Sequence, residues 1–429
     1  MRQRLVGIIS GIVAASLVLS ACGGSSGTSG GGGGQAAAPV VGILLSQSGD
    51  LADLGKPMVK GGQLGFQLVN DAGGIWDGQK LEVKVHDDGT TEEQGRAEAD
   101  KLVNVEKASA IVGATGSGVS KAVLNSVAKP ANVAMCSPSS TSPEFSTMDD
   151  GGLFTRSAPS DALQGQVMAQ VAYDSGYRKA AVIGLNNAYG AGIANVFKDA
   201  FTKLGGAMAL DPVLYDPKGT TFTSEVQKVA QAQPDVVVLA GYPDTGAIIL
   251  KEAYEAGLFT STHWILSEGL RDNSLADKVG KDANGKYIIA GVIGTSPLAT
   301  GPAFDAFKAA YEKAYGADES GTPYTANTFD CAVLIALALQ KVGPDKAHDG
   351  KAIAQAIIDV ASPPGEQVTD VKQALDLLKQ GKDIDFQGAS GTLDMDQNGD
   401  IAAAQYEVWS VGDDGKISQV KVVDVKEGQ

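Results

Sequence analysis

The strongest constraint on the fold is a repeated alternation between short apolar runs and segments with helical periodicity. The first run, Val40–Leu45, is followed by residues 57–71, where Leu64, Leu68 and Val69 share one helical face. Strand-like runs recur at 81–85, 110–113, 133–136, 180–184, 236–240, 264–266 and 288–293, and helical segments at 92–107, 119–128, 161–175, 190–204 and 245–257. Strands that alternate with helices form parallel sheets covered by helices. The sequence therefore predicts an α/β protein.

The alternation restarts after Pro159, and 429 residues are enough for two bodies of ordinary size. We therefore predict two Rossmann-like lobes joined by three crossovers. Lobe 1 takes residues 40–158 and 296–388, and lobe 2 takes residues 159–295 and 389–429. Ligands of open parallel sheets bind beyond the carboxyl ends of the strands. The predicted site therefore lies in the cleft between two lobes that close by a hinge motion.

The first 21 residues have the pattern of a signal peptide. Arg2 and Arg4 form a short positive region, and residues 5–19 are apolar but fewer than the ~20 residues that a membrane-spanning helix needs. Small residues follow, as a cleavage site requires. We expect residues 1–21 to be removed from the mature protein.

The sequence LSAC, which ends at Cys22, resembles a bacterial lipoprotein box. The resemblance implies cleavage before Cys22 and lipidation of its thiol; the alternative is an ordinary secretory signal followed by a chance cysteine. Residues 23–38 are rich in Gly and Ser and have the composition of a flexible tether. The body is therefore predicted to be lipid-anchored on the extracytoplasmic face of a bacterial membrane.

Charge and metal-binding residue types exclude several classes of protein. The formal net charge is −16, and such a surface repels the phosphates of nucleic acids. The three histidines lie far apart and no CxxC occurs, so we expect no metal and no cofactor. A disulfide between Cys136 and Cys331 is permitted in an oxidising compartment, but two separate buried thiols fit the sequence equally well.

Two hydroxyl-rich loops follow predicted strands. Residues 113–118, with the sequence GATGSG, precede a helix whose N-terminus can hold an anion, and Ser117 can donate its hydroxyl to a carboxylate. The loop is neither a dinucleotide nor a nucleotide-phosphate motif, and a plain helix cap is the alternative. Residues 137–143, SPSSTSP, hold five hydroxyls, or alternatively form a polar turn stiffened by two prolines.

Three tyrosines and one acid lie near the ends of predicted strands. Tyr189, Tyr242 and Tyr324 can wall an apolar pocket and offer a polar tip, although any single tyrosine is more often plain packing. Glu268 follows the run at 264–266 and can pair with an ammonium group. The alternative for Glu268 is an exposed acidic loop residue, since the chain has 50 Asp and Glu residues.

One acidic stretch resembles the start of an EF-hand loop. It runs from Asp394 to Asp400, but the twelfth position is Gln405 instead of a bidentate Glu, and no clear helix precedes it. We therefore expect a β-turn there and no calcium site.

The order of these motifs along the chain is more specific than any one of them. The stretches 68–75 (LVNDAGGI), 137–143, 164–165 (QG), 188–192 (AYGAG), 241–243 (GYP) and 268–269 (EG) occur in the order found in one family. Over residues 40–423 the chain resembles the branched-chain amino-acid-binding proteins, the leucine/isoleucine/valine family of type I periplasmic solute-binding proteins.

The resemblance implies roles in binding the head group of an amino acid. Ser117 resembles the residue whose hydroxyl binds the ligand carboxylate, and Thr141 resembles the residue that contacts both carboxylate and ammonium. Ser139 matches a position that offers its backbone carbonyl to the ammonium group. Glu268 is similar to the acidic partner of the ammonium group.

The resemblance also implies which residues surround the ligand side chain. Tyr189 and Tyr242 match aromatic positions on the second lobe, and Tyr324 matches an aromatic position against the side chain. Leu54 stands where family members often carry an aromatic ring, so the identity of the ligand side chain stays open.

We therefore predict an extracytoplasmic lipoprotein that captures a small amino acid, branched-chain or similarly aliphatic, for an ABC importer. It is expected to be a monomer, to dock on a membrane permease and to do no chemistry, since no nucleophile–base pair is visible. The alternatives are a binder of an amide, urea or another small polar solute, and a ligand-sensing lobe for a receptor.

Overall fold

The computed structural model describes residues 38–316 and 319–426, and residues 38–429 form one compact unit. The predicted signal peptide, the lipidation site Cys22 and nearly all of the tether lie outside the described residues. Among the helices that the structure describes, none combines the length and the apolar character needed to cross a membrane.

The described residues contain fifteen strands and thirteen α-helices. The strands are β1 (Val40–Leu45), β2 (Glu82–Asp87), β3 (Ala108–Gly113), β4 (Ala134–Ser137), β5 (Phe154–Arg156), β6 (Lys179–Leu185), β7 (Ala207–Met208), β8 (Val213–Tyr215), β9 (Val236–Ala240), β10 (His263–Leu266), β11 (Ile293–Pro297), β12 (Glu366–Val368), β13 (Ile384–Phe386), β14 (Ala403–Val411) and β15 (Ile417–Lys426). The helices are α1 (Ala52–Asp71), α2 (Glu92–Asp100), α3 (Ser117–Val123), α4 (Lys129–Ala131), α5 (Asp161–Asp174), α6 (Ala188–Lys203), α7 (Thr223–Ala232), α8 (Pro243–Glu255), α9 (Leu275–Val279), α10 (Pro302–Tyr315), α11 (Thr325–Val342), α12 (Gly350–Ala361) and α13 (Val371–Lys379).

Lobe 1 is built on a parallel sheet of five strands in the order β2-β1-β3-β4-β5. Successive side chains of a strand point to opposite faces. Val41, Ile43 and Leu45 of β1 therefore pack on one face with the buried helix α11, whereas Leu44 packs on the other face with α2 and α3. Helices thus cover both faces, as the continuous apolar runs predict.

Lobe 2 is built on a sheet of eight strands in the order β15-β14-β11-β10-β9-β6-β7, with β8 paired to β6. Strands β6 to β11 are parallel, and β14 runs antiparallel to both β11 and β15. The chain crosses between the lobes three times, between β5 and α5, between β11 and α10, and between β13 and β14. This arrangement is the predicted two-lobed α/β fold.

One predicted strand is wrong in position. Residues 288–293 form turns up to Val292, and strand β11 begins only at Ile293. The apolar run arises because Ile289 is buried within a turn, where Ala290 N–H donates to the Tyr287 carbonyl and Val292 N–H donates to the Ile289 carbonyl. Gly291 takes a positive φ of 89°, which a strand does not allow.

The two cysteines that the sequence left undecided are joined. Cys136 in β4 and Cys331 in α11 form a disulfide with a Cα–Cα distance of 5.6 Å. Both are fully buried. The bond ties the strand that leads into residues 137–143 to the central helix of lobe 1.

Candidate ligand-binding site

The predicted site residues converge on one small cavity in the cleft. Its lining consists of Leu51, Leu54, Thr115, Ser117, Ser139, Tyr189, Tyr242, Glu268, Gly269 and Tyr324. Thr141, the remaining predicted residue, is buried beside it and accepts a bond from Asp161 N–H at its carbonyl (2.7 Å). The cavity measures about 20 Å³, which is the room of about one water molecule. A ligand of amino-acid size therefore requires the lobes to part or the side chains to shift.

Lobe 1 contributes the hydroxyl-rich wall. Ser117 opens helix α3 directly after β3, and its Oγ accepts a bond from Ser142 N–H (3.2 Å). In the loop after β4, Ser139 Oγ donates to the Thr115 carbonyl (2.8 Å) and Ser140 Oγ donates to Ser120 Oγ (2.7 Å). These bonds fix the backbone of the loop, so most of its hydroxyls are already engaged with the protein.

Thr141 differs from its neighbours in the loop. Its buried Oγ1 makes no hydrogen bond of good geometry. Buried polar atoms are nearly always paired in folded proteins. The Thr141 hydroxyl is therefore not engaged by the loop itself; it lies near the carboxyl of Asp161.

Lobe 2 contributes a buried acid. Glu268 follows β10 and is only 4% exposed, and its Oε2 accepts a bond from Gln164 Nε2 (2.7 Å). Burial raises the pKa of Glu268 to about 7, against the opposing effect of the bonds it accepts. A carboxylate so placed gains from any cation that enters the cleft.

A second buried acid was missed by the sequence analysis. Asp161 opens helix α5 after the first crossover, and neither of its carboxylate oxygens makes a hydrogen bond of good geometry. Burial first, and then the charge of Glu268, raise the pKa of Asp161 well above its ordinary range, while the nearby Thr141 hydroxyl opposes the rise. In the sequence Asp161 is simply an acid in the first turn of a predicted helix. Acids are common there, so nothing in the sequence marks Asp161 as part of a binding site.

The same centre holds a third unpaired acceptor. Gln164 is fully buried and uses its Nε2 for Glu268, but its Oε1 has no partner. Two oxygens of Asp161 and one of Gln164 therefore await donors beside Glu268. A group with several N–H donors and a positive charge satisfies this arrangement best.

Aromatic rings close the site from lobe 2. Tyr189 and Tyr242 stack with ring centroids 5.5 Å apart, and the Tyr189 hydroxyl donates to Ser267 Oγ (2.8 Å). Gly269 has no room for a side chain, since a Cβ atom there would lie 2.6 Å from the Gly241 carbonyl oxygen. Tyr324, at the start of α11, and the half-buried Leu54 complete the apolar walls from lobe 1.

A larger cavity of about 860 Å³ lies along the crossovers, and Tyr324 lines both cavities. Its charged lining includes Arg271 and Glu407, which neutralise each other in an ion pair of 2.5 Å. The unpaired acceptors of Asp161 and Gln164 lie instead next to Glu268, which lines the small cavity, so the chemistry favours the smaller site despite its size.

A buried arginine holds the loop of residues 137–143 in place. Arg156 donates from Nη1 to the carbonyls of Ser140 (3.2 Å) and Ser142 (2.8 Å), and from Nε to Asp400 of the third crossover (2.6 Å). It also donates from Nη2 to Ser146 Oγ (3.0 Å). The loop position thus depends on the crossover.

The EF-hand-like stretch is the predicted β-turn. Gly399 N–H donates to the Asp396 carbonyl (3.0 Å), and Asp396 Oδ1 accepts bonds from the N–H groups of Asn398 and Asp400. Asp396 is therefore used within the turn, and Asp400 is used by Arg156. Across residues 38–316 and 319–426, no group of three or more His, Cys, Asp or Glu residues is arranged to hold a metal ion.

The fold and the cleft together define a two-lobed solute-binding protein. A family model described as "Receptor family ligand binding region" matches residues 63–414, so the chain belongs to that family. The chain is 27% identical over 381 residues to Leu/Ile/Val-binding protein homolog 3 of Brucella melitensis, covering 88% of this chain and 92% of the relative. It is 28% identical over 362 residues to the chemotactic signal transduction system substrate-binding protein BasB of Halobacterium salinarum, covering 82% and 81%.

Solved structures share the fold. The leucine binding protein LivK of Thermotoga maritima matches with a TM-score of 0.73 at 22% identity, covering 90% of this chain and 98% of that one. An ABC transporter solute-binding protein of R. palustris in complex with benzoate matches with a TM-score of 0.71 at 19% identity, covering 91% and 98%. These similarities confirm the predicted resemblance to the branched-chain amino-acid-binding proteins and the predicted type I periplasmic-binding fold. Its relatives are substrate-binding proteins, which confirms that it is not an enzyme.

Proposed function

We propose that this protein captures a small α-amino acid, branched-chain or similarly aliphatic, in the interlobe cleft and delivers it to the permease of an ABC importer. The observation that carries the proposal is the pair of buried acids, Glu268 and Asp161, in a cleft that also holds the hydroxyls of Ser117 and Thr141. A zwitterion needs an acid for its ammonium group and donors for its carboxylate, with apolar walls between. In this proposal Glu268 binds the ammonium group, and Ser117 and Thr141 bind the carboxylate.

The remaining predicted residues complete the pocket. Ser139 offers its carbonyl to the ammonium group, while Tyr189, Tyr242 and Tyr324 enclose the side chain together with Leu54. The small cavity favours a compact ligand. Lipidation at Cys22 and the tether hold the monomeric body near the permease on the extracytoplasmic face.

Two alternatives have specific support. Similarity to BasB, whose name places it in a chemotactic system, keeps a ligand-sensing role open. The benzoate complex of a structural neighbour shows that this fold also holds a ligand without an ammonium group. Benzoate, an amide or urea offers no ammonium group to these two acids, which favours the amino acid.

The test is thermal unfolding of residues 36–429 after refolding, against leucine, isoleucine, valine, the other common amino acids, aliphatic amides, urea and benzoate. A ligand at ~100 times its dissociation constant stabilises the protein by about 2.7 kcal/mol, which moves the midpoint by several degrees. We expect an aliphatic amino acid to give this shift and Glu268→Gln to abolish it.

The matched control is Asp330→Asn, which alters a buried acid outside the cavity. Asp330 accepts bonds from the N–H groups of Ala389 and Ser390, and burial raises its pKa to about 6. This variant should lower the midpoint but keep the ligand shift. A shift with an amide, urea or benzoate and none with any amino acid would contradict the proposed ligand while leaving the transport role in place.

A further inference from the structure

Two consecutive residues of lobe 1 reach across the cleft into lobe 2. Asp50 and Leu51 lie in the loop between β1 and α1, and neither is used to bind the ligand head group in the proposed function. Asp50 Oδ1 accepts a bond from Asp244 N–H at 2.7 Å, although the two residues are 194 positions apart. Asp50 Oδ2 also accepts a longer bond from Thr245 Oγ1 (3.5 Å).

The Asp50 contact caps a helix of the other lobe. Helix α8 begins at Pro243, which has no N–H, so Asp244 carries its first free donor. Tyr242, the residue before the helix, has no side-chain oxygen bonded to these donors. An aspartate carboxylate at a helix N-terminus is favoured both by the free N–H groups and by the helix dipole. The cap of α8 is therefore supplied from the opposite lobe.

The neighbouring charges make this placement tolerable. The Asp244 carboxylate repels Asp50, but Asp244 is itself paired with Lys278 Nζ at 2.7 Å. Lys278 also attracts Asp50. The two acids can lie side by side because this lysine offsets part of their repulsion.

Leu51 makes an apolar contact at the same place. It is 3% exposed and packs within the buried apolar cluster of lobe 2, which includes Tyr242, although it belongs to the chain segment of lobe 1. One turn later, Leu54 packs against the clusters of both lobes. Separation of the lobes would expose Leu51 to water and remove the cap of α8 together.

We propose that Asp50 and Leu51 form a latch that holds the two lobes closed over the ligand. This inference rests on the proposed binding function only in that the lobes close. A contact that exists in one of two conformations shifts the equilibrium toward that conformation. Asp50 does not line the ligand cavity, so it acts as a positioning residue whose loss changes closure without removing a ligand contact.

The test is small-angle X-ray scattering of residues 36–429, without ligand and with L-leucine, for the wild type, Asp50→Ala and the double variant Asp50→Ala/Leu51→Ala. We expect the variants to have a larger radius of gyration than the wild type in at least one of the two conditions. Where leucine binds, stopped-flow measurements should show it leaving Asp50→Ala about five times faster, the effect of losing one helix cap.

The matched control is Asp370→Ala. Asp370 caps helix α13 within lobe 1 by accepting a bond from Gln373 N–H (2.8 Å). The Asp370→Ala variant should lower the unfolding midpoint about as much as Asp50→Ala does. Its radius of gyration and its leucine dissociation rate should equal those of the wild type. This comparison separates a closure effect from a general loss of stability.

The latch is overturned if wild type and variants have the same radius of gyration in both conditions, whether all are open or all are closed. Failure of leucine to bind would exclude leucine as the ligand and leave the latch testable, because scattering without ligand still reports closure. A radius that grows equally in Asp370→Ala would also overturn the latch.

Discussion

The two sides of the cleft prepare for a ligand in opposite ways. On lobe 1, the hydroxyls of Ser139 and Ser140 are bonded to the protein, and the loop that carries them is fixed before any ligand arrives. The acidic side holds Glu268 and Asp161, both buried; the charge of Arg156 favours the charged form of Asp161 but does not outweigh burial. One wall is therefore preorganised at little cost, whereas the other stores an unfavourable charge that a ligand can relieve.

The difference teaches how the site can be both specific and reversible. A preorganised wall fixes the orientation of the ligand, because its donors do not need to move. The buried acids of the other wall favour binding only of a ligand that carries a positive group. Changes that loosen the first wall or neutralise the second should therefore have different signatures.

The largest effect on stability is expected from removing the disulfide of lobe 1. Removing the disulfide with Cys136→Ala/Cys331→Ala frees a loop with a sequence separation of 195 residues, which should lower the free energy of unfolding by about 5 kcal/mol. Urea denaturation of residues 36–429 measures this loss. A loss below about 1 kcal/mol would show that the lobe 1 wall is held by packing and hydrogen bonds alone.

An intermediate effect, a gain of stability instead of a loss, is expected from neutralising Glu268 on the acidic wall. Burial raises the pKa of Glu268 from 4.5 to about 7, so between these values the folded protein binds more protons than the unfolded chain. Stability should therefore fall as pH rises from about 4.5 to 7. Glu268→Gln removes this loss and should be more stable than the wild type at pH 8, by about 3 kcal/mol, with little difference at pH 4.

The control for this prediction is Glu255→Gln, which alters an exposed acid at the end of α8. Denaturation curves at pH 4 and pH 8 should not separate this variant from the wild type. If Glu268→Gln were less stable than the wild type at both pH values, the acidic wall would be a structural network and not a stored charge.

The smallest effect separates two adjacent hydroxyls within lobe 1. Ser140→Ala removes a buried bond to Ser120 and should cost about 1 kcal/mol of stability with ligand affinity unchanged. Thr141→Val removes a hydroxyl that makes no well-aligned bond and lies near the Asp161 carboxyl, so stability should change less than in Ser140→Ala while affinity for the amino acid falls about fivefold to tenfold. Denaturation and calorimetric titration of the two variants measure both quantities. Equal behaviour of the two variants would remove the special role of Thr141.

The sequence predicted the fold because its evidence is periodic. The apolar run at 180–184 lies in a strand, and Lys179–Leu185 is where the structure has it. The run at 288–293 misled, since burial of Ile289 in a turn leaves the same apolar signal as burial in a strand. Hydropathy reports that a residue is buried but not the backbone conformation that buries it.

The site was predictable only where residues resemble a family pattern. Seven of the eight predicted ligand residues line one cavity, and the eighth, Thr141, is buried in the same loop as Ser139. Asp161 was not predicted, because one acid among 50 carries no mark of burial. The pairing of Cys136 with Cys331 was also undecidable, since it depends on a distance across the lobe that the sequence does not contain.

Arg156 has a practical consequence for anyone who redesigns this protein as a biosensor. Its guanidinium donates from one nitrogen to the backbone carbonyls of Ser140 and Ser142, and from another to Asp400 of the third crossover. Because these bonds go to the backbone, they remain when loop side chains other than those of Ser139 and Ser140 are exchanged to recognise a new analyte. Insertions or deletions between 137 and 143 would instead pull on the crossover, so a new specificity obtained that way would also change the motion that a sensor reads out.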